Sequence, residues 1–256
     1  MNILNVDGAT IEVPESDTWL HISKHQAQLM EKYAEIEGIT GVPMPFQSKA
    51  TQLWLKEFLW RAHEELAESG EAASFAIAAM ESDWPLVQKE VAHLFEEISD
   101  TIHFICECWL LCYSADSVYK NLIETAAHEA YTVTAIDLQY IINPMLEVGM
   151  VFRGHYSGDR PCSRLRESFA TGLSEIKRFM MTEVSYRLGL VGNVLKNKRW
   201  KQTEIISDEE EFQFRLEQAT THLMYLLVCC GFRPADIFVL YRKKNLVNKW
   251  RQDTGY

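Results

Sequence analysis

Glycine and proline are scarce in this 256-residue chain, 12 and 7 residues against a hydrophobic content of 47%. That balance excludes collagen-like, low-complexity and disordered chains. Long apolar runs are missing as well. The longest, FICECWLLCY and LMYLLVCCGF, are ten residues each, where a membrane span needs about 20. The opening MNILNVDGATIEV has no basic-then-apolar signal pattern, so a soluble, cytoplasmic protein without a membrane partner is expected. The six cysteines (106, 108, 112, 162, 229, 230) form no CxxC pair and sit mostly in apolar helical stretches. They read as buried reduced thiols rather than metal or redox groups. Cations are in deficit, 25 Lys+Arg against 36 Asp+Glu for a formal charge of −11. Phosphate affinity comes from clustered Lys and Arg, so a nucleic-acid partner is not expected.

The deficit is uneven. Residues 1–130 carry 22 acidic and 7 basic side chains, net −15; residues 131–256 carry 14 and 18, net +4. Such asymmetry points to a division of labour. Patterning agrees. Residues 2–6 and 10–13 read as two strands around the turn Asp7-Gly8, an N-terminal β-hairpin within residues 1–17. Everything after it reads as helix, giving an all-α bundle. Helices are expected from Leu20 to Ile36, from about Ala50 after a Ser48 cap to Ser69, over 72–80, from Trp84 after a Ser82-Asp83 cap to Cys112, and over 115–130. The second half repeats the plan. LKEFLWRAHEELAES (55–69) compares with IKRFMMTEVSYRLGL (176–190), and TIHFICECWLLCYSADSVY (101–119) with TTHLMYLLVCCGFRPADIF (220–238). HQAQLM (25–30) compares in turn with LQYIIN (138–143). Two degenerate tandem repeats, 18–130 and 131–256, follow from this order. A duplicated chain is expected to be a monomeric pseudo-dimer or a homodimer.

Two stretches carry chemistry. Glu65-Leu-Ala-Glu68 and Glu97-Ile-Ser-Asp100 each place two carboxylates on one helix face, inside apolar sequence. Acids on a packed face repel one another and lose solvation unless a cation neutralises them. All-oxygen ligation suits Mg2+, with Mn2+ the alternative. A di-iron bundle would need two Glu-x-x-His motifs; Asp100-x-x-His103 resembles one, but Ala219-Thr-Thr-His222 has no acid. The other stretch is the C-terminus, where Arg242, Lys243, Lys244, Lys249 and Arg251 alternate with Asn245 and Asn248. Cations with amide donors can cradle a polyphosphate, and a solvated basic helix end is the plain alternative.

The ending KNxxNxxRQDxGY, preceded by ADIFxLY, resembles the C-terminal signature of the phage dCTPase-dUTPase and dimeric dUTPase group, within the all-α NTP pyrophosphatases related to MazG. The ExxE and ExxD pairs, followed by Thr-Ile-His-Phe, are similar to that superfamily's Mg2+ site. The resemblance implies hydrolysis of a pyrimidine deoxynucleoside triphosphate, dUTP or dCTP, to the monophosphate and pyrophosphate. By the same resemblance Glu65, Glu68, Glu97 and Asp100 hold the metal, with Glu65 or Glu68 as the catalytic base. Lys244, Asn245, Asn248, Arg251 and Tyr256 would bind phosphate, sugar or base, and Gln139 and Asn143 would read the pyrimidine. The second half departs at its own metal positions, with Glu183, Tyr186, Arg215 and Gln218, and the first half has Met30 where the family has an Asn. One composite site per chain is therefore expected, metal from the first repeat and nucleotide contacts from the second. The competing expectations are a non-catalytic nucleotide-binding or interaction protein keeping the fold, or the same chemistry on another (d)NTP, and a phage gene product would act in the host cytoplasm.

Overall fold

Four helix starts are set by a side-chain cap. Asp17 accepts from the Leu20 N–H, Ser48 from Thr51, Asp83 from Leu86 and Asp208 from Glu211, each satisfying a donor that the first turn leaves open. The computed structural model describes residues 2–6, 9–39, 41–117, 122–133, 139–152, 163–200 and 202–255, apart from the side chains at 2–9, 37, 129–133 and 139–142. Two strands, β1 (Asn2–Val6) and β2 (Ala9–Val13), pair antiparallel from Asn2↔Val13 to Val6↔Ala9. The expected turn residues Asp7 and Gly8 lie outside the described residues. The rest is helical: α1 (Thr18–Glu37), α2 (Lys49–Ala79), α3 (Trp84–Cys112), α4 (Leu122–Val133), α5 (Gln139–Phe152), α6 (Ser163–Phe179), α7 (Ser185–Val194), α8 (Glu209–Cys229) and α9 (Pro234–Thr254). A π-helical segment, Met180–Val184, joins α6 to α7 without a break. Among the described residues no single helix is long and apolar enough to cross a membrane.

One expectation about element bounds is overturned. α2 does not stop at Ser69 but runs to Ala79. Gly70 weakens a helix by about 1 kcal/mol relative to Ala, yet here it faces α6 and the π segment. A Cβ at Gly70 would stand 3.6 Å from Met181 and 3.9 Å from Lys177. Packing on that small-residue stripe (Ser69, Gly70, Ala72, Ala73, all buried) outweighs the local propensity. Of the expected 115–130 helix, Ala115–Ser117 form a 3-10 turn and α4 covers Leu122–Val133.

The core centres on the α2–α3 hairpin, whose four-residue connection makes the two helices antiparallel neighbours. α5 and α6 cross so closely that a Cβ at Gly172 would lie 2.2 Å from the Pro144 carbonyl oxygen. Phe95, Phe152 and Phe232 tie α3, α5 and the α8–α9 turn together at ring separations of 4.8 to 5.7 Å. α9 lies against α1 and α3, which brings Lys244 of the C-terminal polar row to Glu96 and Asp100.

Candidate functional site

Antiparallel packing of α2 on α3 turns the two acidic pairs towards each other. The carboxylate oxygens of Glu65, Glu68 and Glu97 lie within 4.8 Å of one another, close enough to share one cation. Glu97 is buried at 8% exposure, Glu65 half-buried and Glu68 exposed. Burial first, then a proton-sharing hydrogen bond with Glu97 and the charges of Asp100, Glu97 and Glu68, hold the Glu65 acid up at about 8. His93 Nδ1 stands 2.9 Å from a Glu97 oxygen, though not aligned as a hydrogen bond. Three carboxylates on two packed helices, with the Glu65 acid held up by burial and its acidic neighbours, are a donor set that could hold a hard divalent ion.

The fourth acid is engaged differently. Asp100 makes a 2.7 Å ion pair with Lys244 of α9, which also holds Glu96 at 2.7 Å. Asp100 and Lys244 are 14% and 13% exposed. Burial pushes Asp100 up to about 6 even against the pull of Lys244. Burial works to lower the Lys244 ammonium, but its pairs with Asp100 and Glu96 outweigh that and raise it. The lysine thus occupies, towards Asp100, the role of a cation.

Beside Asp100 opens a cavity of ≈ 100 Å3 between α1, α2, α3 and α9. Gln26, Met30 and Tyr33 line it from α1, Phe58 and Arg61 from α2, Asp100, His103, Phe104 and Glu107 from α3, and Asn248 from α9. His103 is 3% exposed and stacks on Tyr241 with ring centroids 4.4 Å apart, and its ring nitrogens make no well-aligned hydrogen bond beyond a contact with the Tyr241 backbone. Burial drives its pKa down to about 3, so the ring is neutral and offers one donor and one acceptor. A buried polar side chain left open on a cavity wall is a feature a ligand would complete.

The expected nucleotide contacts divide. Asn248 lines the cavity, and Lys244 sits at the acids. Arg251 is exposed on the same helix and contributes its charge to Glu96. Asn245 is 2% exposed with its amide turned inward: Nδ2 donates to Tyr241 Oη at 3.0 Å and Oδ1 accepts from Arg242. Asn143 is exposed on α5, a helix packed on α6, α3 and α8, and the cavity is lined without it. The Gln139 side chain and Tyr256 lie outside the described residues. Gln26, Glu107, His103 and Tyr241 were not among the expected contacts.

In the second half, the positions matching the four acids form no acidic cluster. Glu183 stands 3.7 Å from Arg187, Tyr186 is exposed, and Arg215 bonds Glu211 at 2.7 Å and Gln218 at 3.3 Å. No protein-family model, curated protein or solved structure matches the chain.

Proposed function

We propose that this chain is a nucleotide pyrophosphohydrolase of the MazG-like all-α group, dependent on Mg2+ or Mn2+ and acting on a pyrimidine deoxynucleoside triphosphate. The observation that carries the reading is the cluster of Glu65, Glu68 and Glu97 with the Glu65 acid held near 8. Those three side chains would hold the ion, with Asp100 alongside. When bound, a divalent ion neutralises phosphate charge and lowers the pKa of its water. The chain's own residues do the rest. Glu65 or Glu68 takes the proton of the attacking water. Lys244 and Arg251 offset charge on the pyrophosphate leaving group. The cavity takes the base, with Phe58, Phe104 and Met30 excluding water and His103, Gln26 and Asn248 supplying donors and acceptors.

In this reading the halves are a duplication. Four successive helical segments occur as α1–α4 and again as α5, the continuous stretch 163–194, α8 and α9. The site is then composite, with acids from the first repeat and α9 from the second, in a monomer that does the work of a dimer.

The experiment is a dNTP and NTP panel with product analysis, with and without Mg2+. Metal-dependent release of pyrophosphate and a pyrimidine deoxynucleoside monophosphate is expected, and its loss in Glu97→Gln. Full turnover in both Glu97→Gln and Lys244→Met refutes the reading. Nucleotide binding without turnover would make the chain a non-catalytic binder, which the ready-made Lys244–Asp100 pair favours.

A further inference from the structure

Behind the cavity runs a chain of four hydrogen bonds linking three helices. The Arg242 guanidinium donates to Asn245 Oδ1. Asn245 Nδ2 donates to Tyr241 Oη at 3.0 Å, Tyr241 Oη to Gln26 Oε1 at 2.8 Å, and Gln26 Nε2 to Glu107 Oε1 at 2.9 Å. Every link points the same way, and the Arg242 end decides why. A guanidinium has no acceptor, so the direction is set there and propagates through the two amides and the hydroxyl to Glu107. Turning the Gln26 amide over would set its oxygen against the Glu107 oxygen and break the Tyr241 link, both in a site where Gln26, Tyr241, Asn245 and Glu107 are buried. Free amides flip to suit a ligand; this one is held.

Gln26 and Glu107 line the cavity, whereas Tyr241 and Asn245 stand behind it. We infer that the Arg242–Asn245–Tyr241–Gln26–Glu107 relay gives the cavity a fixed donor–acceptor polarity, so that it accepts a 4-keto or a 4-amino pyrimidine but not both, with Tyr241 as a positioning residue for that choice. The inference rests on the cavity being the base site of the pyrophosphohydrolase proposed above. Uracil and cytosine differ at the 4-substituent and at N3, where donor and acceptor exchange places. A wall that can flip serves either base, and a wall of fixed polarity leaves one base with opposed acceptors. Selectivity falls to the amide that cannot turn.

The test compares kcat/KM for dUTP and dCTP in the full chain and in Tyr241→Phe, which removes one hydroxyl behind the cavity and touches no ligand. The native chain is expected to favour one base by roughly 100-fold or more, since a polar site left unpaired by the wrong ligand discriminates strongly. In Tyr241→Phe that ratio falls by about tenfold or more, with Mg2+-dependent turnover retained. Arg242→Gln, whose amide can both donate and accept at the head of the relay, is expected to relax the ratio in the same way and serves if the phenylalanine variant does not fold. A native ratio near one, or variants that lose activity equally on both bases, would overturn the relay's role. Absence of turnover on either base overturns the pyrophosphohydrolase reading itself, a separate result.

Discussion

Glu65 makes the sharpest claim open to measurement. An acid with an ordinary pKa of 4.5 unfolded and about 8 folded binds a proton in the native state that the unfolded chain has released. Its contribution to stability is therefore fully present below pH 4.5 and is lost as pH rises towards 8. Taken whole, that shift would be worth about 5 kcal/mol. Glu65 is half-buried, and solvent screening reduces the figure to about 1–2 kcal/mol. For a chain of this size that is a fall in Tm of roughly 2–8 °C between pH 5 and pH 8.5. Glu65→Gln, a neutral isostere of the protonated acid, should remove most of that slope and melt higher than the native chain at pH 8.5. Mg2+ competes with the proton, so it should stabilise the native chain increasingly from pH 6 to pH 8.5, by about 2.7 kcal/mol at 100 times its dissociation constant. It should do much less for Glu65→Gln. The assay is thermal melting over pH 5–9 in EDTA and in Mg2+. A flat native profile, or a glutamine variant that parallels it, would refute the crowded-acid account.

Other substitutions probe the neighbouring contacts. Lys244→Met leaves Asp100 buried without its cation and should cost about 2–4 kcal/mol at pH 7. Asp100 then rises further, so the deficit should shrink as pH falls below 6, which denaturant melts at pH 5 and 7 would show. Gly172→Ala puts a methyl 2.2 Å from the Pro144 carbonyl oxygen. Despite better helix propensity it should destabilise by about 1–3 kcal/mol through a forced separation of α5 and α6, seen as a lower urea midpoint with an unchanged m-value.

What was legible in the sequence was local. Ser48 and Asp83 announced their helix starts because a cap and its N–H lie three residues apart, and the i, i+3 acids announced themselves because a helix repeats on that scale. The stop expected at Ser69 failed because the reason Gly70 stays helical, Met181 and Lys177, sits more than a hundred residues away. The relay was hidden for the same reason. Gln26 reaches Glu107 across 81 residues and Tyr241 across 215, and no spacing rule connects them. Asn245 looked like a phosphate ligand in a run of cations and amides; only the tertiary fold turns it inward.

α9 also explains why the split charge matters more than the sum. It carries Lys244 to Asp100 and Glu96, and it carries Arg242 to the head of the relay that ends on Glu107. One basic helix therefore supplies both the cation at Asp100 and Glu96 and the donor that heads the relay to the cavity wall. The positions 244 and 242 do this from different sides of the helix, so neither cation can substitute for the other. A triphosphate arriving beside Asp100 would compete with that carboxylate for the Lys244 ammonium, and a divalent ion would compete with the ammonium for Asp100. Both exchanges lower the same pair's hold at once, so substrate and metal should each weaken the barrier to the other. Binding of a nucleotide and Mg2+ should then be mutually reinforcing, with the coupling reduced in Lys244→Met, where the pair no longer exists to be exchanged. Titration calorimetry of a nucleotide at several fixed Mg2+ concentrations reads that coupling directly, and independent binding of the two would contradict the exchange.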